Sequence, residues 1–241
     1  RSAGPWCLQA GAGQYVEVSH PLSANGGGVY LNQYTLVADV MLARPAGERA
    51  FHALLQTDGS APAADAYVTG DGRIGCLVYS EPGLVRAGRW HRVVMVVDLV
   101  ARLVNWFVDG MPACTLSHDA PVPGHTRAER TVVEADDRWA LGPRLWLFRD
   151  PDSACAAGVF RLASLQLRPF AMDEEGVLSL GGPSAGLLAS PLVLPLAVRS
   201  PEGESRSVQS VGLSTNPLSP LPTLQSPLSS PGVGSVGGVG G

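Results

Sequence analysis

The residues best suited to hold a cation in this chain are Asp150 and Asp152, on either side of Pro151 in "LFRDPDSAC". Calcium takes about six to eight oxygens from carboxylates and loop carbonyls, so two closely spaced aspartates after a strand are a start for such a site. The same spacing also suits a turn in which Asp150 bonds its own backbone. Ser117, His118 and Asp119 carry the letters of a nucleophile, base and acid. Adjacent residues in an extended segment cannot pass a proton along one line, and such triads are assembled from distant positions. His20, His52, His91, His118 and His125 show neither H-x-x-x-H nor H-E-x-x-H spacing. His91, next to Trp90 in a strand-like run, is expected to be packed and hydrogen-bonded rather than a ligand. "GDGRIG" and "NGGGVY" do not open helices, so they read as turns and not as phosphate cradles. Cys7, Cys76, Cys114 and Cys155 lack the C-x-x-C spacing of zinc or redox motifs. Cys76 and Cys114 fall in predicted strands, where a cross-sheet bridge is sterically possible; buried free thiols are the alternative.

Composition narrows the partners. The chain has 241 residues, 45% of them hydrophobic, and a formal charge of −4, which allows one large β domain or two small ones. All 17 basic residues are Arg and stand singly, so no basic stripe is offered to a phosphate backbone and nucleic acid is not expected. The longest apolar stretch near the end, 186–198, is broken by Pro191 and Pro195 and falls short of the roughly 20 residues a spanning helix needs. No membrane insertion is expected. The chain opens on Arg1 with no visible signal peptide, and is read as part of a larger multidomain chain.

Strands must position whatever chemistry there is, because period-two patterning dominates residues 1–182 and helical periodicity is nearly absent. The expected strands are 14–19, 33–42, 51–57, 65–69, 73–79, 90–98, 102–108, 111–116, 144–148 and 158–168, punctuated by Gly, Pro, Asn and Asp. In 90–98, His91, Val93, Met95 and Val97 face one way and Trp90, Arg92, Val94 and Val96 the other. Apolar groups on both faces put this strand near the middle of a sheet, one face on a second sheet and the other covered or lining a groove. Asp109-Gly110 predicts a hairpin. Asp173 caps a helical turn, Glu174 and Glu175 sit at its positive end, and Gly181-Gly182 stop it. No aromatic residue follows Phe170, and from about Pro183 the chain turns to Ser, Pro, Gly, Leu and Val. Such a segment cannot bury enough apolar surface to offset its backbone entropy. Residues 187–241 are therefore expected to form a disordered tail or linker behind a domain at 1–186.

The motifs "NGGGVYLNQYTLVADVML", "HALLQTD", "GDGRIGC", "GRWHRVVMVVDL", "FVDG", "LFRD" and "LASLQLRPFAMDEEGVLSLGGPSAG" follow one another in this order. Together they resemble a laminin-G-like domain of the concanavalin A-like lectin and glucanase superfamily, over about residues 10–186. The resemblance implies an all-β fold, a two-sheet antiparallel jelly-roll sandwich with a short C-terminal helical turn. It also strengthens the case for calcium at Asp150 and Asp152, and implies an extracellular or cell-surface setting. Residues 119–137 are longer and more charged than the equivalent connection usually is.

That superfamily holds enzymes and binders. Its retaining glucanases carry E-x-D-x-x-E, since a nucleophile and an acid must flank one glycosidic bond about 5–5.5 Å apart. "EADDRW" supplies Glu134 and Asp136 at that spacing, but Trp139 stands where the second Glu belongs. No two-carboxylate mechanism follows, and no enzymatic activity is expected. In a binder, a ligand would meet the loop rim or a sheet face, where aromatic rings stack on sugar C–H surfaces. Trp90, Trp106, Trp139, Trp146 and Tyr79 are the aromatic stock, with Asn32, Gln33 and Tyr34 as rim candidates. Two functions fit: a non-catalytic binding or adhesion module recognising a glycan or protein surface, and an accessory or structural β domain of a larger multidomain protein or carbohydrate-active enzyme.

Overall fold

The structure is a computed structural model, and it describes residues 7–11, 13–42, 51–61, 63–117, 137–149, 159–183, 196–200 and 206–207. Two antiparallel sheets pack face to face as a jelly-roll sandwich. The back sheet has six strands, ordered β1 (Leu8–Ala10), β12 (Phe160–Arg168), β3 (Gln33–Leu42), β8 (Trp90–Asp98), β9 (Leu103–Val108) and β10 (Met111–Ser117). The front sheet has eight, ordered β14 (Arg206–Ser207), β13 (Leu196–Arg199), β2 (Tyr15–Ser19), β11 (Arg144–Leu147), β4 (Phe51–Gln56), β5 (Ala66–Thr69), β6 (Ile74–Cys76) and β7 (Val78–Tyr79). The single α-helix among the described residues, α1, spans Glu174–Leu180.

β8 occupies the middle of the back sheet, as its two apolar faces require. Val93, Met95 and Val97 join Leu36, Ala38, Val40, Trp106 and the front-sheet residues Val18, Leu145 and Ile74 in the main core. Val94 and Val96 point the other way and, with Val37 and Phe107, bury Val177 of α1. The helix is thus the cover over the outer face of the back sheet. Each large aliphatic side chain buried in these clusters contributes roughly 1.5–3 kcal/mol. Asp173 caps α1 by accepting a hydrogen bond from the Gly176 amide at 2.8 Å, and Gly181 ends it at φ 59°.

Charge is also buried on this side. Asp39 and Arg92 face each other across β3 and β8 and form a two-pronged pair at 2.8 and 2.9 Å. Arg92 Nη1 also donates to the Leu180 carbonyl at 2.6 Å, so the pair anchors the last turn of α1 to the sheet. Inside, His91 Nε2 accepts from the Arg86 amide at 2.9 Å, which leaves Nδ1 protonated to donate to Asp109 Oδ2 at 2.8 Å. His91 is packed and hydrogen-bonded, as expected.

Three local outcomes differ from the sequence reading. The expected strand 73–79 is two strands, β6 and β7, because Cys76 pairs directly with Val78 across a one-residue turn at Leu77, whose φ is 63°. Gly75 makes room for this reversal, since a Cβ there would collide with the Val78 carbonyl oxygen. β1 was not anticipated; three residues are too few to show a period. Finally, within the segment read from composition as tail, Leu196–Arg199 adds to the otherwise open edge of β2, and Arg206–Ser207 pairs with it. The Asp109-Gly110 turn joins β9 to β10 with both residues at positive φ, 54° and 80°, as a two-residue hairpin demands.

Candidate binding face

The outer face of the front sheet has no helix over it among the described residues. Alternation decides what it shows: β2 sends Val16 and Val18 inward, leaving Tyr15, Glu17 and Ser19 outward, and β11 sends Leu145 and Leu147 inward, leaving Arg144 and Trp146 outward. The register sets Glu17, Trp146 and Gln56 side by side across β2, β11 and β4. Arg199 of β13 lies opposite Tyr15.

Arg149, just past β11, reaches back over this row. Its guanidinium lies 5.6 Å from the Trp146 ring centroid and 5.7 Å from that of Tyr15, within the range of cation–π attraction. Nη1 donates to Gln56 Oε1 at 3.0 Å and to the Gly59 carbonyl. Gln56 is fully buried beneath, and its amide donates to the Ala61 carbonyl at 2.8 Å. Gly59 lies directly against the indole: a methyl group there would sit 2.8 Å from two Trp146 ring carbons. The loop is held in turn by Asp58, which accepts from the Ser60 amide and hydroxyl at 2.8 and 2.7 Å. Those bonds, the amide first, keep the Asp58 carboxyl below its ordinary range. Tyr15, Arg149 and Trp146 therefore form a stack of half-buried planar groups whose positions are fixed from below. At its edge, Glu17 accepts from Arg199 at 3.4 Å and faces Arg144 at 3.9 Å.

A second aromatic patch lies further along β4. Phe51 is 44% exposed, the largest opening of any ring on this face, and meets Tyr67 and Tyr79 edge-on at 5.9 and 6.2 Å. Tyr67 and Tyr79 both register with Gly75, which places the two rings on the same face on either side of it. Beside them Asp71 bonds Arg73 at 2.9 Å. Rings that are half exposed and held by neighbours offer flat apolar surface at little entropic cost, with arginines and a carboxylate nearby to take hydroxyl groups.

Of the aromatic stock read from sequence, the structure brings Trp146 and Tyr79 to this face. Trp106 and Trp139 are in the core, and Trp90 is half-buried on β8. Tyr34, a rim candidate, is also in the core and donates to the Trp139 carbonyl at 3.0 Å. Asn32 and Gln33 lie where the chain enters β3, and Asn25 Oδ1 accepts from both their amides, at 2.9 and 2.8 Å. Trp139 is fixed by its indole N–H on the Asp65 carbonyl at 3.3 Å, so the position where the glucanase pattern wants a carboxylate is a core anchor. Asp65 is itself buried, and burial pushes its carboxyl up to about 6 against two hydrogen bonds from Thr57. Asp150, Asp152, Glu134, Asp136, His118, Asp119, His125 and Cys155 lie outside the described residues. Among the described residues no group of three or more His, Cys, Asp or Glu is placed to hold a metal, and no helix is long and apolar enough to cross a membrane. Tyr15, Gln56, Phe51, Tyr67 and Arg149 were not foreseen; for Tyr15 and Tyr67 the available signal was the outward phase of short alternating strands.

No family model matches the chain, and no curated protein matches it. Among solved structures it is similar to the CBM40 of the Ruminococcus gnavus IT-sialidase bound to α2,3-sialyllactose, with TM-score 0.45 and 16% identity over 64% of this chain and 84% of that one. The same CBM40 in a second structure gives 0.44 and 16% over 73% and 99%. Trypanosoma rangeli sialidase gives 0.42 and 16% over 62% of this chain, which spans 22% of that enzyme. None of these assigns a role to a residue of the front face.

Proposed function

We propose that this chain is a non-catalytic binding module whose ligand, a glycan, lies across the outer face of the front sheet. The observation that carries the reading is the Tyr15–Arg149–Trp146 stack, half exposed yet held by Gln56 and Gly59. A pyranose presents an apolar C–H face and a rim of hydroxyls. The first suits the faces of Trp146 and Phe51, and the second suits Arg144, Arg199 and Glu17. A site built in advance spends little binding energy on ordering itself. The order of motifs along the chain supports a laminin-G-like assignment, and Trp139 in place of the second carboxylate supports a role without catalysis.

A glycan array probed with the 241-residue chain tests this, followed by calorimetry on the best glycan. Reproducible binding that free glycan competes away is expected. Silence across a broad array, or binding that Trp146→Ala leaves unchanged, would remove the reading in favour of a protein ligand or an accessory structural role. Calcium at Asp150 and Asp152 is a separate proposal from the sequence. It is tested by titrating calcium into chelator-treated protein, where heat and a thermal shift are expected and the absence of both would eliminate the site.

A further inference from the structure

Cys76 and Cys114 come from opposite sheets, at the end of the sandwich where both run out. β10 is the last strand of the back sheet, and β6 is followed in the front sheet only by the two residues of β7. β10 packs against both. Among the described residues β10 is an edge strand, and Pro112 with the bulge between Pro112 and Cys114 suits that position. The Cys114 sulfur lies 3.4 Å from the Ile74 carbonyl oxygen and 3.7 Å from that of Val78. Ile74 and Val78 flank Cys76 on either side of the tight turn at Leu77, so the Cys114 thiol points into the bend that carries Cys76. Cys76 belongs to the main core cluster, and Cys114 packs against it. Burial raises the Cys76 thiol to about 11 and the Cys114 thiol to about 12, the latter helped by the neighbouring Cys76 charge. On its other side Cys76 has Arg138, whose Nη1 is 4.0 Å from the sulfur.

We propose that Cys76 and Cys114 are a modification site: the two halves of a disulfide between the sheets, formed by exchange with a small-molecule disulfide such as oxidised glutathione. Cys114, half-buried where Cys76 is buried, is the point of entry. Its thiolate attacks one sulfur of the oxidant, forming a mixed disulfide and releasing one glutathione thiolate, which takes up the proton that Cys114 gave away. The Cys76 thiolate, formed beside the Arg138 guanidinium, then attacks the Cys114 sulfur and expels the second glutathione, protonated by the proton from Cys76. Two protein thiols become one disulfide, and the oxidant gains two electrons and two protons. The result is a covalent clasp across the edges of a sandwich that backbone hydrogen bonds do not close there. The high thiol pKa values make exchange slow at neutral pH, so the reaction is run at about pH 9.

The experiment uses the 241-residue chain, incubated with oxidised glutathione, alkylated without reduction and cut with trypsin. With no Lys in the chain, cleavage after Arg gives peptides 74–86 and 103–127, each with one of the two cysteines. The expected product is these two peptides joined with the loss of two hydrogens. The thermal midpoint should rise by roughly 5–10 °C over the reduced protein, as loss of unfolded-state entropy would give. Cys114→Ser, which keeps a donor for the Ile74 carbonyl, should show neither the joined peptides nor the rise. Both peptides recovered alkylated or singly glutathionylated, either joined instead to Cys7 or Cys155, or an equal rise in Cys114→Ser would overturn the proposal.

Discussion

The two outer faces of the sandwich treat arginine in opposite ways. On the back sheet Arg92 is 1% exposed, paired with Asp39 and spent on holding the helix. On the front sheet Arg149 is half-buried, has no carboxylate among its hydrogen-bond partners in the described residues, and lies over two rings. A face that needs a fixed cover buries its charge in pairs. A face left open keeps planar groups rigid and partly wet, which is what a ligand surface requires.

Substitutions should separate the faces by size of effect. The largest is expected for Asp39→Ala, which strands Arg92 in the interior and should cost about 3–5 kcal/mol in urea unfolding. Replacing both partners by Leu and Met should recover most of that loss. If Asp39→Ala costs no more than Arg149→Ala, the contrast between the faces fails. Next comes Asp65, whose folded carboxyl at about 6 lies above its unfolded value. Its contribution is complete below about pH 4 and lost as pH rises through 6, so acidification from pH 7 to 4 should stabilise the wild type relative to Asp65→Asn by roughly 2–3 kcal/mol. A difference that stays flat with pH would show that Asp65 is not held as described. Asp173→Ala removes the helix cap and should cost about 1 kcal/mol by thermal melting, loosening the cover on the back sheet alone. Arg144→Ala breaks only an exposed contact with Glu17 and should change stability by less than about 0.5 kcal/mol.

The back half of the fold was legible because its signals are local. Alternating apolar residues on both faces of 90–98, the Asp109-Gly110 turn and the Asp173 cap each fit within a few residues, and each forms as read. The candidate site was not legible in the same way. Trp146 and Tyr79 could be named as rings, but nothing in their spacing ties them to Tyr15, Gln56 or Arg149. Those residues meet only because β2, β11 and β4 are neighbours in the front sheet, and because Arg149 folds back from the end of a strand. Trp106 and Trp139 show the reverse: the same residue type, placed inward by phase, becomes core.

The central claim is tested most directly by calorimetric titration of the array's best glycan into wild type, Trp146→Ala on the front face and Leu178→Ala on the exposed side of α1. Trp146→Ala should fold with a melting temperature close to wild type and bind at least about tenfold more weakly, a stacking loss of roughly 1.4 kcal/mol, while Leu178→Ala binds as wild type does. Undiminished binding by Trp146→Ala, or equal losses in the two variants, would place the ligand elsewhere and contradict the account.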